Sequence, residues 1–154
     1  MTLLRFRDVA LRRGVVTALD GLSFEVARGE RVALVGPSGC GKTTALRLAA
    51  GLDAPDAGAV EWPDGRPRAG IVFQDPTLLP WASAFDNVRL PLRLAGADGA
   101  AARARVEEAL ALVGLADSAR LRPRELSGGM RMRVSLARAL VTGAELLLLD
   151  EPFA

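Results

Sequence analysis

The chain has 154 residues, half of them hydrophobic, with a net charge of +2 and a single cysteine; this is the length of one ordinary domain and excludes an internal disulfide. Its longest purely apolar runs, such as Leu146 to Leu149, fall far short of the ~20 residues of a membrane helix, and Arg5, Arg7 and Asp8 interrupt any secretion-signal core, so a cytoplasmic location is expected. Nineteen arginines lie scattered rather than gathered into one run, which argues against nucleic acid as a partner; the one lysine is Lys42.

In chain order, Leu3 to Val9, Leu22 to Val26 and Arg31 to Val35 read as short strands, separated by turn signals at Arg13-Gly14 and Arg28-Gly29-Glu30. The third is apolar and partly β-branched, the pattern of a buried strand, and it runs into Gly36-Pro37-Ser38-Gly39-Cys40-Gly41-Lys42-Thr43-Thr44. Gly36, Gly41, Lys42 and Thr43 fit the phosphate-loop spacing, and the Ala, Leu and Arg of Thr44 to Ala50 continue as a helix. Strand, glycine loop and helix in that order let successive backbone amides and a helix N-terminus converge on phosphate oxygens. A compact ammonium enters such a ring of amides where a broad guanidinium does not, which accounts for lysine at this one position. The site residues expected to bind nucleotide phosphates are therefore Gly36, Ser38, Gly39, Cys40, Gly41, Lys42, Thr43 and Thr44, with the Thr43 hydroxyl offered to Mg2+.

Further strands are expected at Ala59 to Trp62 and Ala69 to Phe73, with exposed turns in the Pro-, Gly- and Asp-rich stretch from Pro55 to Pro67. From about Thr77 the character becomes helical. Ala101 to Val113 places Val106, Ala109, Leu110 and Val113 on one face and is stopped by Gly114. Ser127 to Val141 repeats the pattern, with Ser127 at the N-cap, Met130, Val134, Ala137 and Val141 on one side, and Arg131, Ser135 and Arg138 on the other. After Gly143, Ala144 to Asp150 returns to a strand whose four leucines predict burial on both faces. Such a strand delivers Asp150 and Glu151 at its C-terminal end, where open α/β sheets place their ligands. One carboxylate there suits a magnesium ion, and its neighbour can accept a proton from an attacking water.

Leu126-Ser127-Gly128-Gly129-Met130, Ala137-Arg138-Ala139-Leu140 and Leu149-Asp150-Glu151-Pro152 resemble the signature and Walker B segments of ABC transporter ATPases. Gly70-Ile71-Val72-Phe73-Gln74 resembles their Q-loop, and Ala18 to Phe24 their opening strands, so the resemblance spans the whole chain. It implies an α/β fold: a P-loop NTPase core with an N-terminal antiparallel β portion and a helical signature subdomain. The implied division is 1–75 for the nucleotide-binding core with Q-loop, 76–142 for the helical subdomain and 143–154 for the Walker B strand. The resemblance further implies catalytic roles for Glu151 and Gln74, a metal set of Thr43, Gln74 and Asp150, and a signature surface of Ser127, Gly128, Gly129 and Met130. In this family that surface grips the ATP of a partner subunit in a head-to-tail dimer. The other implied partners are transmembrane permease subunits, which place the protein peripherally on the inner face of the cell membrane.

Leu78, Leu79 and Trp81 have two readings, local packing or a docking patch for a permease. The Leu-Leu-Pro-Trp run, with Met130 and Arg131-Met132-Arg133, is similar to importers of nitrate, sulfonates and taurine. Alternative readings are a nucleotide-binding module without turnover, and a non-transport ABC ATPase, for which long insertions or a second cassette would be expected. No aromatic residue occupies the stretch Ala10 to Gly14 where family members stack on adenine; Arg12 or Arg13 stacks instead, or both are simply solvated. Cys40 is a small loop filler or a reactive thiol. The family's later switch histidine has no counterpart, since histidine is absent from the sequence, and the final core strands are missing, so the chain is expected to be the front portion of a longer protein.

Overall fold

In the computed structural model, which describes residues 1–152, the chain forms two compact units, Met1–Pro67 and a second beginning at Arg68. The first is organised by a hairpin of β1 (Thr2–Arg13) and β2 (Val16–Ala27), longer than the strands expected from the sequence. The apolar positions of β1 do not alternate simply, because several register shifts interrupt its pairing with β2. One lies between Phe6 and Val9, where Asp8 takes a positive φ of 46° and its N–H donates to Ser23 Oγ at 2.8 Å. A bulge of this kind re-aims the residues that follow, so Leu3, Leu4, Phe6, Val9 and Leu11 are all buried. Phe6 stacks on Phe24 with ring centroids 4.5 Å apart. The third strand, β3 (Ala57–Glu61), pairs antiparallel with β1, giving the order β2-β1-β3. Helix α1 (Lys42–Ala49) buries Ala45, Leu48 and Ala49.

The segment 31–35 departs from expectation: it belongs to neither sheet, and Val35 is 92% exposed. An apolar, β-branched run supplies the side chains of a buried strand but not the ladder partner that makes it one. Among the described strands, none pairs with it.

The second unit pairs β4 (Ala69–Val72) in parallel with β5 (Leu146–Leu149), in the register Ala69↔Leu146 to Val72↔Leu149. Only one face of β5 is buried: Leu146 and Leu148 are covered, whereas Leu147 and Leu149 are each 38% exposed. Burial on both faces needs a layer on each side, and among the described residues the second face of β5 is not covered to that degree.

Three helices build the rest of this unit, α2 (Ala84–Leu94), α3 (Ala100–Leu112) and α4 (Gly128–Leu140). Val88, Val106 and Val134 are fully buried at their common core, each contributing about 1.5 to 3 kcal/mol relative to exposure. The side of α4 bearing Ser135 and Arg138 is not a solvent face, since Ser135 is 1% exposed and Arg138 half buried. Arg138 is covered by the turn at Pro76 and Thr77, to which it donates, and α4 also contacts β4: a Cβ on Gly70 would lie 2.7 Å from the Ala139 carbonyl oxygen. Glycine there lets the helix approach the strand at backbone distance. No helix among the described residues is long and apolar enough to cross a membrane.

Candidate functional site

In the first unit the candidate phosphate-binding residues run from an exposed loop at 36–40 through half-buried Gly41 into the first turn of α1, where Lys42 and Thr44 are half buried and Thr43 is exposed. Gly41 occupies the N-cap at φ 97°, and a Cβ there would stand 2.3 Å from the Ala18 carbonyl oxygen and 2.8 Å from Leu19 Cδ2. Both the positive φ and the close approach to β2 require glycine. At the other end, a Cβ on Gly36 would meet Cys40 Sγ at 2.6 Å, so the loop closes on itself tightly. Cys40 is a free, exposed thiol whose N–H reaches the Pro37 carbonyl at 3.3 Å.

The ammonium of half-buried Lys42 donates to the carbonyls of Gly36 at 2.8 Å and Pro37 at 3.0 Å. Its charge is thus folded into the loop rather than extended into solvent. Helix α1 starts without a side-chain cap and without an acidic residue in its first turn. The starts of α2 and α4 differ, being capped by Ser83, which accepts from Asp86 N–H, and Ser127, which accepts from Met130 N–H. A bare helix start beside an inserted ammonium has the charge and donor complement of an anion site.

Arg13 and Arg47 both bind Asp53, at 2.5 Å and 2.8 Å. The hydrogen bond from Arg47, opposed by partial burial and reinforced by the charge of Arg13, holds the Asp53 carboxyl below its usual value of 3.8. Of the two arginines considered for stacking on adenine, Arg13 is therefore engaged in an ion pair.

In the second unit the parallel register brings three candidate residues to one edge. Asp150 N–H donates to the Val72 carbonyl at 2.9 Å, so the chain leaves β5 beside the point where it leaves β4 towards Gln74. Gln74 and Glu151 are exposed, Asp150 is half buried, and Glu151 has a positive φ of 46°. The signature residues lie elsewhere, at the start of α4, where Ser127, Gly128 and Gly129 are exposed and Met130 is half buried. Ser127 stands about 16 Å along α4 from Arg138, at the rise of an α-helix. The Ser127 oxygen accepts the Met130 N–H at 3.2 Å, while a hydroxyl in that role keeps its own proton to donate. Neither glycine has a packing reason within the chain: a Cβ on Gly129 would meet nothing within 4 Å, and one on Gly128 only Arg131 at 3.8 Å.

The segment after Gln74 carries Leu78 and Leu79 half buried, with Leu78 on the helical core, and Trp81 71% exposed. Two residues hold this segment: Asn87, which the sequence did not single out, and Arg138, expected only on the polar side of its helix. Asn87, fully buried in α2, donates to the carbonyls of Leu79, Ala82 and Ser83 and accepts the Leu79 N–H at 2.8 Å. Arg138 reaches it from α4. An asparagine amid apolar helix positions was the only available signal for the first, and an arginine flanked by alanines for the second.

The sequence model of the family described as ABC transporter matches residues 19–154. The chain belongs to the ABC transporter family. It is similar to the taurine import ATP-binding protein TauB of Pseudomonas aeruginosa (strain UCBPP-PA14), 46% identical over 156 residues that cover 97% of this chain and 58% of that protein. The aliphatic sulfonates import ATP-binding protein SsuB 3 of Paraburkholderia xenovorans (strain LB400) is 48% identical, covering 96% and 57%. The spermidine/putrescine import ATP-binding protein PotA of the same Pseudomonas strain is 46% identical, covering 99% and 44%. This ABC chain thus spans about half the length of the curated relatives it matches. Among solved structures, the dimeric ATP-binding cassette MJ0796 in a post-hydrolysis state, bound to ADP and Pi, aligns with a TM-score of 0.88 at 30% identity, covering 98% of this chain and 75% of that one. The fold is accordingly that of an ABC ATPase cassette, a mixed α/β architecture with an antiparallel sheet and four α-helices among the described residues.

Proposed function

We propose that this chain carries the ATP-binding and ATP-hydrolysing segments of the subunit that energises an ABC importer of small solutes of the taurine, sulfonate or nitrate kind. The observation that carries the reading is the loop at residues 36–44, in which the Lys42 ammonium is held by loop carbonyls beside an uncapped helix start. On this reading Gly36, Ser38, Gly39, Cys40, Gly41, Lys42, Thr43 and Thr44 bind the ATP phosphates. Similarity to import ATP-binding proteins of taurine and sulfonates supports the substrate class.

The donor set suits magnesium arriving with the nucleotide. Among the described residues no group of three His, Cys, Asp or Glu could hold a metal alone, and Mg2+ ordinarily takes one or two protein ligands plus phosphate oxygens. Thr43, Gln74 and Asp150 are proposed to hold it, and when bound it would neutralise phosphate charge. Glu151 is proposed as the base that orients water and takes its proton, with Gln74 beside it. Ser127, Gly128, Gly129 and Met130 are proposed to contact the ATP of a second subunit, because bare glycines at a helix start leave its backbone open to approach from outside the chain. Leu78, Leu79 and Trp81 are the proposed contact with a permease, which would hold the protein at the inner face of the membrane.

A second reading, nucleotide binding without turnover, draws on the segment 31–35, which reaches the phosphate loop without pairing to any of the described strands. Glu151→Gln separates the two. If Glu151 is the base, ATP affinity is kept and phosphate release falls by about 10²-fold or more; a wild-type chain that binds ATP without releasing phosphate supports the second reading.

A further inference from the structure

Pro76 and Thr77 follow Gln74 closely, and Thr77 holds a φ of 46°. That value is unusual for a β-branched residue, so something outside the turn must keep it there. Its N–H donates to Asp75 Oδ1 at 3.1 Å, a local bond within the turn. The long-range restraint is the guanidinium of Arg138 near the end of α4. One nitrogen, Nη2, donates to the Pro76 carbonyl at 2.7 Å and to Thr77 Oγ1 at 3.3 Å, and Nη1 donates to the Thr77 carbonyl at 3.0 Å. Among the described residues no carboxylate pairs with this arginine, and both Nη groups donate to the turn. At the far end of the same segment, Asn87 ties Leu79, Ala82 and Ser83 to α2.

We propose that Arg138 is a positioning residue: it locks the turn after Gln74 onto the helix that begins with Ser127, so that the two move as one piece. Its planar fork spans two consecutive residues, which a lysine point charge does not reproduce. The consequence for hydrolysis rests on the function proposed above, whereas the clamp itself does not.

Amide hydrogen exchange without nucleotide reads the clamp directly. In Arg138→Met, which keeps the apolar stem, exchange at Thr77 rises at least tenfold while exchange at Val134 stays within twofold; in Arg138→Lys the rise at Thr77 is smaller but above threefold. In steady-state ATP hydrolysis, Arg138→Met lowers kcat at least tenfold with KM within threefold, and Arg138→Lys restores part of the loss. Unchanged Thr77 exchange in a folded variant overturns the proposal, as does an equal rise at Val134, which marks general loosening. If Arg138→Met fails to fold, Arg138→Lys decides by the same two amides. A wild-type chain that neither binds nor hydrolyses ATP defeats the functional reading and leaves exchange to decide the clamp.

Discussion

Lys42 stands alone among nineteen arginines, and its surroundings explain the exception. Two carbonyls at 2.8 and 3.0 Å form a pocket for a single ammonium, and a guanidinium, planar and wider, has no such fit. This residue and its neighbours from Gly36 to Thr44 were legible in the sequence, because the loop depends on residue type at fixed spacing and little else. Asp53 was not, since its partners Arg13 and Arg47 come from a strand and a helix. Its lowered carboxyl pKa stabilises the fold above the ordinary value of 3.8, and that contribution disappears as pH falls through the lower folded-state value. Asp53→Asn should therefore lower stability at pH 7 by no more than about 1 kcal/mol and leave it unchanged near pH 2, measured by urea unfolding at both.

Helix α4 begins at its Ser127 cap and ends before Gly143, close to the boundaries its caps announce. The segment 31–35 has the composition of a strand but pairs with none of the described strands, and no local pattern encodes a partner. Likewise, the polar side of α4 is half covered because Arg138 packs on the turn at Pro76 and Thr77, a contact between positions far apart in sequence. Two substitutions test the local accounts. Gly129→Ala should raise thermal stability by about 0.5 to 1 kcal/mol, since that glycine has room for a Cβ and no packing duty, while abolishing any ATP-dependent self-association seen in sedimentation. Asn87→Ala should cost about 2 to 3 kcal/mol in urea unfolding, because it strips a buried partner from the Leu79 N–H and from the carbonyls of the 79–83 segment.

At the scale of the whole molecule, the phosphate loop belongs to the first unit, and Gln74, Asp150, Glu151 and the signature residues belong to the second. Within the second unit, parallel pairing of β4 with β5 explains why Gln74 and the acidic pair share an edge although more than seventy positions separate them in sequence. Their shared edge follows from strand order, which the motifs do not state, whereas the identity of each motif was readable from its residues. All of this depends on the loop at 36–44 being a nucleotide site. Calorimetric titration of ATP with Mg2+ into the wild-type chain and into Lys42→Ala tests that most directly. The account predicts measurable binding to the wild type and a loss of about 10- to 100-fold in the variant, the weight of roughly 1.5 to 3 kcal/mol for an uncompensated phosphate charge; equal affinity in the two would contradict it.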